Sequence, residues 1–139
     1  MTIYLDSSAI VPLFVDEANT PAARRLEQLG EPVVISSWTL AECSSAFARL
    51  HRMNVIDGLE RERLDHDLDA WSTLPARFTA IAAEDVSFAR TCIRTLAAAL
   101  RAPDALHLAI AWRHGYALAT FDDNLATAGR DLSLRVVGR

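Results

Sequence analysis

Thr2-Ile3-Tyr4-Leu5-Asp6-Ser7-Ser8, followed by an apolar stretch at residues 9–15, sets the architecture of this chain. Residues 2–5 are apolar and partly β-branched and stop at an aspartate. Two hydroxyl residues suited to capping then lead into the apolar stretch, which reads as strand, turn, helix. The same alternation recurs downstream. Asn19-Thr20-Pro21 offers a cap with a proline at the first helical position, and residues 22–29 run to Gly30, a helix-stop residue. Residues 33–35 are a buried-strand candidate; after Ser36-Ser37, the residues Trp38, Leu40, Ala41, Ala46, Phe47 and Leu50 recur at helical spacing up to Arg52. Asp57 is placed to cap a helix over 58–71, with Leu59, Leu64, Leu68 and Trp71 on one side and an acidic remainder. Residues 78–81 read as a strand and 84–100 as a long alanine-rich helix. Pro103 starts a further helix, and strands at 116–120 and 134–137 complete the pattern. Strands alternating with helices predict one α/β domain over residues 1–139, a three-layer α/β/α sandwich with a mainly parallel central sheet of about five strands.

Composition agrees with a packed domain and removes several chemistries. A chain of 139 residues that is 51% hydrophobic is one domain's worth of material and buries roughly two-thirds of its unfolded surface. Its apolar runs are much shorter than the roughly 20 residues that span a bilayer, and the N-terminus lacks a basic-then-apolar leader, so the expected location is the cytoplasm, with no membrane contact. Cys43 and Cys92 form no CxxC pair and no zinc spacing, and read as reduced thiols. All 14 basic residues are arginine, against 18 acidic residues, for a net charge of −4. Base composition accounts for the exchange, given 24 alanines. Without lysine the chain has no P-loop clamp, no Schiff-base amine and no lysine of the kind that receiver and haloacid-dehalogenase pockets require.

Four carboxylates fall where a parallel sheet binds ligands. Asp6 follows the first strand at once, and Asp122 with Asp123 follows the strand at 116–120 after one residue, so these acids stand at carboxyl ends of strands. Asp104 lies in the first turn of the helix started by Pro103, and Glu42 lies in the first turns of the helix entered from the strand at 33–35. All four elements can point at one crevice. Four ionised carboxylates there repel one another unless a cation neutralises them, and hard oxygen donors select Mg²⁺ or Mn²⁺. Three of the four also have a plainer reading. Asp6 suits a helix cap, Asp122-Asp123-Asn124 suits an Asx turn in which only one acid need be a ligand, and Glu42 suits a surface-facing helical position. The joint placement favours a site. His107, three residues after Asp104, reads as a core histidine bonded to a neighbour more readily than as a transition-metal ligand. Asp65, Asp67 and Asp69 cannot share one helix face, and Cys43 reads as a small buried apolar residue.

Tyr-Leu-Asp-Ser-Ser-Ala at 4–9, Leu-Ala-Glu at 40–42, Leu-Arg-Ala-Pro-Asp-Ala-Leu-His-Leu-Ala at 100–109 and Leu-Ala-Thr-Phe-Asp at 118–122 resemble, in order, the successive blocks of a PIN domain. More narrowly they resemble the VapC-type ribonuclease toxins of toxin–antitoxin pairs, over nearly the whole chain. The resemblance implies metal-dependent hydrolysis of RNA phosphodiesters by a metal-activated water. It makes Asp6, Glu42, Asp104 and Asp122 the metal-binding and catalytic acids, with Ser7 and Thr120 as supporting hydroxyls. Asp123 joins them as a supporting residue at a position where the family often has a basic or polar one. It further implies a second copy of the chain, giving a homodimer, and a small antitoxin docking near Phe14 and Val15. For an RNA partner, Arg90, Arg94 and Arg101 are candidate phosphate contacts, because residues 86–121 hold four arginines (Arg113 being the fourth) against Asp104 alone. Arg49 and Arg52 form a second candidate edge, while Trp38, Trp71 and Trp112 read as core packing before base stacking. The competing readings are a catalytically inactive binding or regulatory module, which requires a broken acid set, and a metal-dependent phosphatase, which suffers from the missing lysine.

Overall fold

A computed structural model of the chain describes residues 1–73 and 77–139. Its elements run β1 (Ile3–Leu5), α1 (Ser7–Phe14), α2 (Thr20–Glu27), β2 (Val33–Val34), α3 (Ser37–Arg52), α4 (Gly58–Ser72), α5 (Ala83–Thr95), α6 (Ala102–His114), β3 (Ala117–Ala119), α7 (Asp123–Asp131) and β4 (Val136–Val137). The strands pair in the order β2-β1-β3-β4, and all three pairings are parallel.

Side-chain alternation along β1 sorts the helices onto the two faces. Ile3 and Leu5 join Ala117 and Ala119 of β3 in a core with Ala9, Leu26, Phe47 and Leu68 from α1 to α4. Tyr4 and Leu118 point the other way, into a core with Cys92, Leu108, Ile110 and Leu125 from α5 to α7. A strand turns successive residues to opposite faces, so two short strands suffice to divide the seven α-helices of the described residues into two covering layers. The three-layer α/β/α sandwich expected from the alternation of elements is the observed one.

Three details depart from the sequence reading. Residues 78–81 contribute only a single parallel bridge, Ile35 to Phe78, so the sheet has four strands and one appended pairing. Beyond Thr79 the backbone turns to side chains: Arg113 Nη2 donates to the Ala80 carbonyl at 2.7 Å and Ala82 N–H donates to Asp85 at 2.8 Å, so these groups need no neighbouring strand. Helix α5 stops at Thr95 although alanines follow, because Leu96, Ala98 and Leu100 turn inward to pack on the core between α6 and the sheet. Burial there outweighs helix propensity. Finally, the cap of α1 is the Asp6 side chain, bonded to Ala9 N–H, and not a serine.

Candidate active site

The site is built at the carboxyl ends of β1 and β3. Asp6 leaves β1 and is almost fully buried, at 3% exposure. Its Oδ1 accepts from Ser8 Oγ at 2.7 Å and Ala9 N–H at 3.1 Å, and its Oδ2 accepts from Thr120 Oγ1 at 2.8 Å. Both oxygens are thus oriented by neutral donors. Burial pushes the Asp6 carboxyl above its usual range, and nearby His107, followed by the bonds from Ser8, Thr120 and Ala9, only partly opposes that rise. Thr120 lies just past β3, is fully buried, and donates its own N–H to Val137 of β4 at 3.1 Å. It also accepts from Asp122 N–H at 3.0 Å, so one threonine hydroxyl ties together the two acids that follow the central strands. Gly138 backs it closely: a Cβ there would stand 2.7 Å from the Thr120 carbonyl.

Asp122 caps α7 by accepting from Leu125 N–H at 2.8 Å. Asp104 sits in the first turn of α6 and pairs with Arg101 at 3.3 Å. Burial raises its carboxyl, Arg101 opposes this, and the nearby charges of Asp122 and Glu42 push it further up. That mutual repulsion places Asp104, Asp122 and Glu42 in one electrostatic neighbourhood. Glu42, on the second turn of α3, is partly exposed; its Oε1 lies 3.4 Å from Ser7 Oγ, which donates, and accepts a short bond from His107 Nε2. Segments beginning at residues 6, 42, 104 and 122 therefore meet at one edge of the sheet.

Asp123 stands apart from this cluster. It is exposed and pairs with Arg139 at 3.2 Å, and its only link to the site is its place beside Asp122. Arg101 is spent on Asp104, and Arg113 on Asp85 at 2.6 and 2.9 Å. The local surplus of positive charge counted along the sequence thus narrows to Arg90 and Arg94. Both line an apolar groove of about 480 Å³ with Trp38, Ile93, Pro103 and Leu106, and Pro103 adjoins Asp104. Phe14 and Val15 line a smaller groove of about 170 Å³ with Ile56 and Leu64. Trp71 packs edge-on against Phe14 and joins the core, whereas Trp112 stacks on Phe88 at 4.2 Å but is 47% exposed, and Trp38 lines the larger groove, so core packing holds for Trp71 alone of the three.

Sequence reasoning gave Ser8 and Tyr4 no part in the site. Ser8 bonds Asp6 and also accepts from Phe121 N–H at 2.8 Å; the Asp-x-Ser spacing is the signal that pointed to it. Tyr4 contacts His107, and nothing in its local sequence marks it. His107 fills the core position expected of it and in addition reaches Glu42.

An all-carboxylate donor set suits a hard divalent cation. Among the described residues no three acidic, histidine or cysteine side chains close around one point; Mg²⁺ in general keeps several of its waters and takes one or two carboxylates. Asp6 accepts only from neutral donors, while Asp104 pairs with the exposed Arg101.

The family model that matches this chain is described as PIN domain and covers residues 3–131. No curated protein matches it. Among solved structures, Mycobacterium tuberculosis VapC20, described as a Sarcin-Ricin loop cleaving toxin, superposes with a TM-score of 0.72 at 22% identity, covering 91% of this chain and 95% of that one. FitAcB from Neisseria gonorrhoeae gives 0.70 at 25% identity, with 97% and 96% covered. VapBC2 from Rickettsia felis, bound to a DNA fragment from their promoter, gives 0.68 at 17% identity, with 98% and 97% covered.

Proposed function

The chain belongs to the PIN domain family, and from that premise we propose that it is a Mg²⁺-dependent endoribonuclease, a toxin held in check by a cognate antitoxin. This reading is supported by the approach of Asp6, Glu42, Asp104 and Asp122, far apart in sequence, to the carboxyl edge of a parallel sheet, where burial raises the Asp6 and Asp104 carboxyls despite the nearby His107 and Arg101. An inactive binding module has no use for an intact acid set.

Asp6 and Asp104 would hold the cation, Mg²⁺ or Mn²⁺. When bound, such an ion activates a water, aligns it with the leaving oxygen and offsets the charge developing on the phosphate. The protein's own contribution is orientation. Ser8, Thr120 and Ala9 N–H fix both oxygens of Asp6. Thr120 links Asp6 to the backbone of Asp122, and Ser7 lies against Glu42. Glu42 and Asp122 act through water or accept the proton that the attacking water releases. Asp123 supports the rim from outside. Arg90 and Arg94, lining one groove with Pro103, supply positive charge for the RNA backbone, with Arg101, paired to Asp104 at the start of α6, as the third arginine. Phe14 and Val15 offer apolar surface for the antitoxin, and a second copy of the chain completes a homodimer in the cytoplasm. The similarity to VapBC2 supports the antitoxin partner.

The deciding experiment incubates purified protein with total RNA and reads cleaved ends by sequencing. New ends with Mg²⁺ that vanish in chelator are the expected result. Intact RNA under both conditions would reject the assignment.

A further inference from the structure

Beneath the acid cluster lies a buried hydrogen-bond chain that the hydrolysis scheme above leaves without a task. Tyr4 is fully buried on the α5–α7 side of β1. Its hydroxyl lies 2.8 Å from Ser36 Oγ, 3.3 Å from Thr39 Oγ1 and 2.8 Å from His107 Nδ1. The other ring nitrogen of His107 meets Glu42. His107 is 1% exposed, and Ser36 and Thr39 are fully buried.

The placement of these groups matters more than their number. Tyr4 is two residues before Asp6 on β1. His107 is one helical turn after Asp104 on α6, and the Ser36–Thr39 capping box opens the helix that carries Glu42. The chain therefore cross-links the three elements that bear three of the four acids. Its direction follows for an ionised Glu42 and a neutral His107. An ionised carboxylate only accepts, so His107 Nε2 must carry the proton given to Glu42. In a neutral imidazole Nδ1 is then an acceptor, so the Tyr4 hydroxyl donates to it. Thr39 Oγ1 donates to the Leu5 carbonyl at 3.3 Å, which leaves Ser36 Oγ as the donor to Tyr4. Burial keeps the Tyr4 phenol protonated far above neutral pH.

We propose that Tyr4 and His107 are positioning residues: the Ser36–Tyr4–His107 chain fixes the direction in which the Glu42 carboxylate faces the site. This rests on the nuclease reading for its catalytic consequence, while the histidine-ring measurement below does not depend on that reading. A packing role alone would be met by apolar residues of the same size, since buried polar chains add stability only when fully satisfied. This one ends on a partly exposed carboxylate at the cleft, which packing does not require.

Two measurements test it. In the metal-free wild-type protein, nitrogen-15 NMR of the histidine rings should show a protonated Nε2 on His107, and a bare Nε2 would overturn the proposal. Tyr4→Phe and His107→Leu should raise the Mg²⁺ concentration that half-maximally shifts Tm, and lower kcat with KM for RNA unchanged, by about 10- to 100-fold, the range for groups that orient metal ligands. His107→Gln, which keeps a donor toward Glu42, should recover most of the loss. Losses that only follow the folded fraction, with the Mg²⁺ midpoint unmoved, would also overturn it. RNA left uncut by the wild type counts against the nuclease, while the ring protonation still judges this chain.

Discussion

Asp6 and Asp85 are both buried aspartates, 3% and 1% exposed, and both accept a backbone N–H at the start of a helix. Their surroundings differ in one respect. Asp85 faces the guanidinium of Arg113 with both oxygens, at 2.6 and 2.9 Å, whereas Asp6 faces two hydroxyls and an amide. Burial drives both carboxyls up, but at Asp85 the Arg113 and Ala82 bonds outweigh it and the carboxyl ends below its usual range, while Asp6 ends above. A buried acid whose charge the fold neutralises locks two helices together. A buried acid oriented by neutral donors holds charge that something from outside must balance, which is what a cation site requires.

That contrast breaks first in catalysis. Asp6→Asn keeps the cap and the shape while removing the charge, so RNA cleavage should fall by about three decades, the equivalent of several kcal/mol of lost charge stabilisation. Asp85→Asn should leave cleavage per folded molecule nearly unchanged. Comparable losses in the two variants would dissolve the distinction. The mirror test removes the counter-charge: Arg113→Met strands Asp85 and should lower unfolding free energy by about 3 kcal/mol in urea titrations, the low end for a buried pair because Arg113 is partly in water. Mg²⁺ comes next. At a hundredfold excess over its Kd it should stabilise the wild type by about 2.7 kcal/mol, read as a rise in Tm, with no rise in Asp6→Asn. The smallest effect is on the pH profile of the metal-free protein. A folded carboxyl raised above its unfolded value binds protons that the unfolded chain has released, so Asp6 makes stability fall as pH rises from the ordinary aspartate range through its folded value. Asp85 does the opposite: its contribution is present above the ordinary range and is lost as pH falls through its depressed value. Thermal melts from acid to neutral pH should therefore show a gentler decline above the ordinary aspartate range in Asp6→Asn than in the wild type.

Much of the site is legible in one dimension because strand-end acids follow local rules. Asp6 and Asp122 lie directly beyond short apolar strands, and Asp104 follows a proline that starts a helix. The register of a parallel sheet then brings those ends to one edge. Arg113 shows where counting fails: it enters a local charge sum as a free cation, yet its partner Asp85 lies 28 residues away, just outside the stretch summed. Residues 78–81 have the composition of a strand but pair at one residue only, because Arg113 and Asp85 supply the partners that a neighbouring strand would have given.

What the sequence determined alone was whatever depends on spacing: the alternation of strand and helix, the apolar run that ends at Asp6, the cap at Asp57, and the placing of the four acids at strand ends and in the first turns of helices. Tertiary structure decided which buried charges are neutralised. It set Asp85 against an arginine and Asp6 against hydroxyls, and it joined Tyr4 to His107 across 103 residues. Hydrogen bonds and Coulomb forces act over a few ångströms of space, and only the folded chain specifies which groups stand that close.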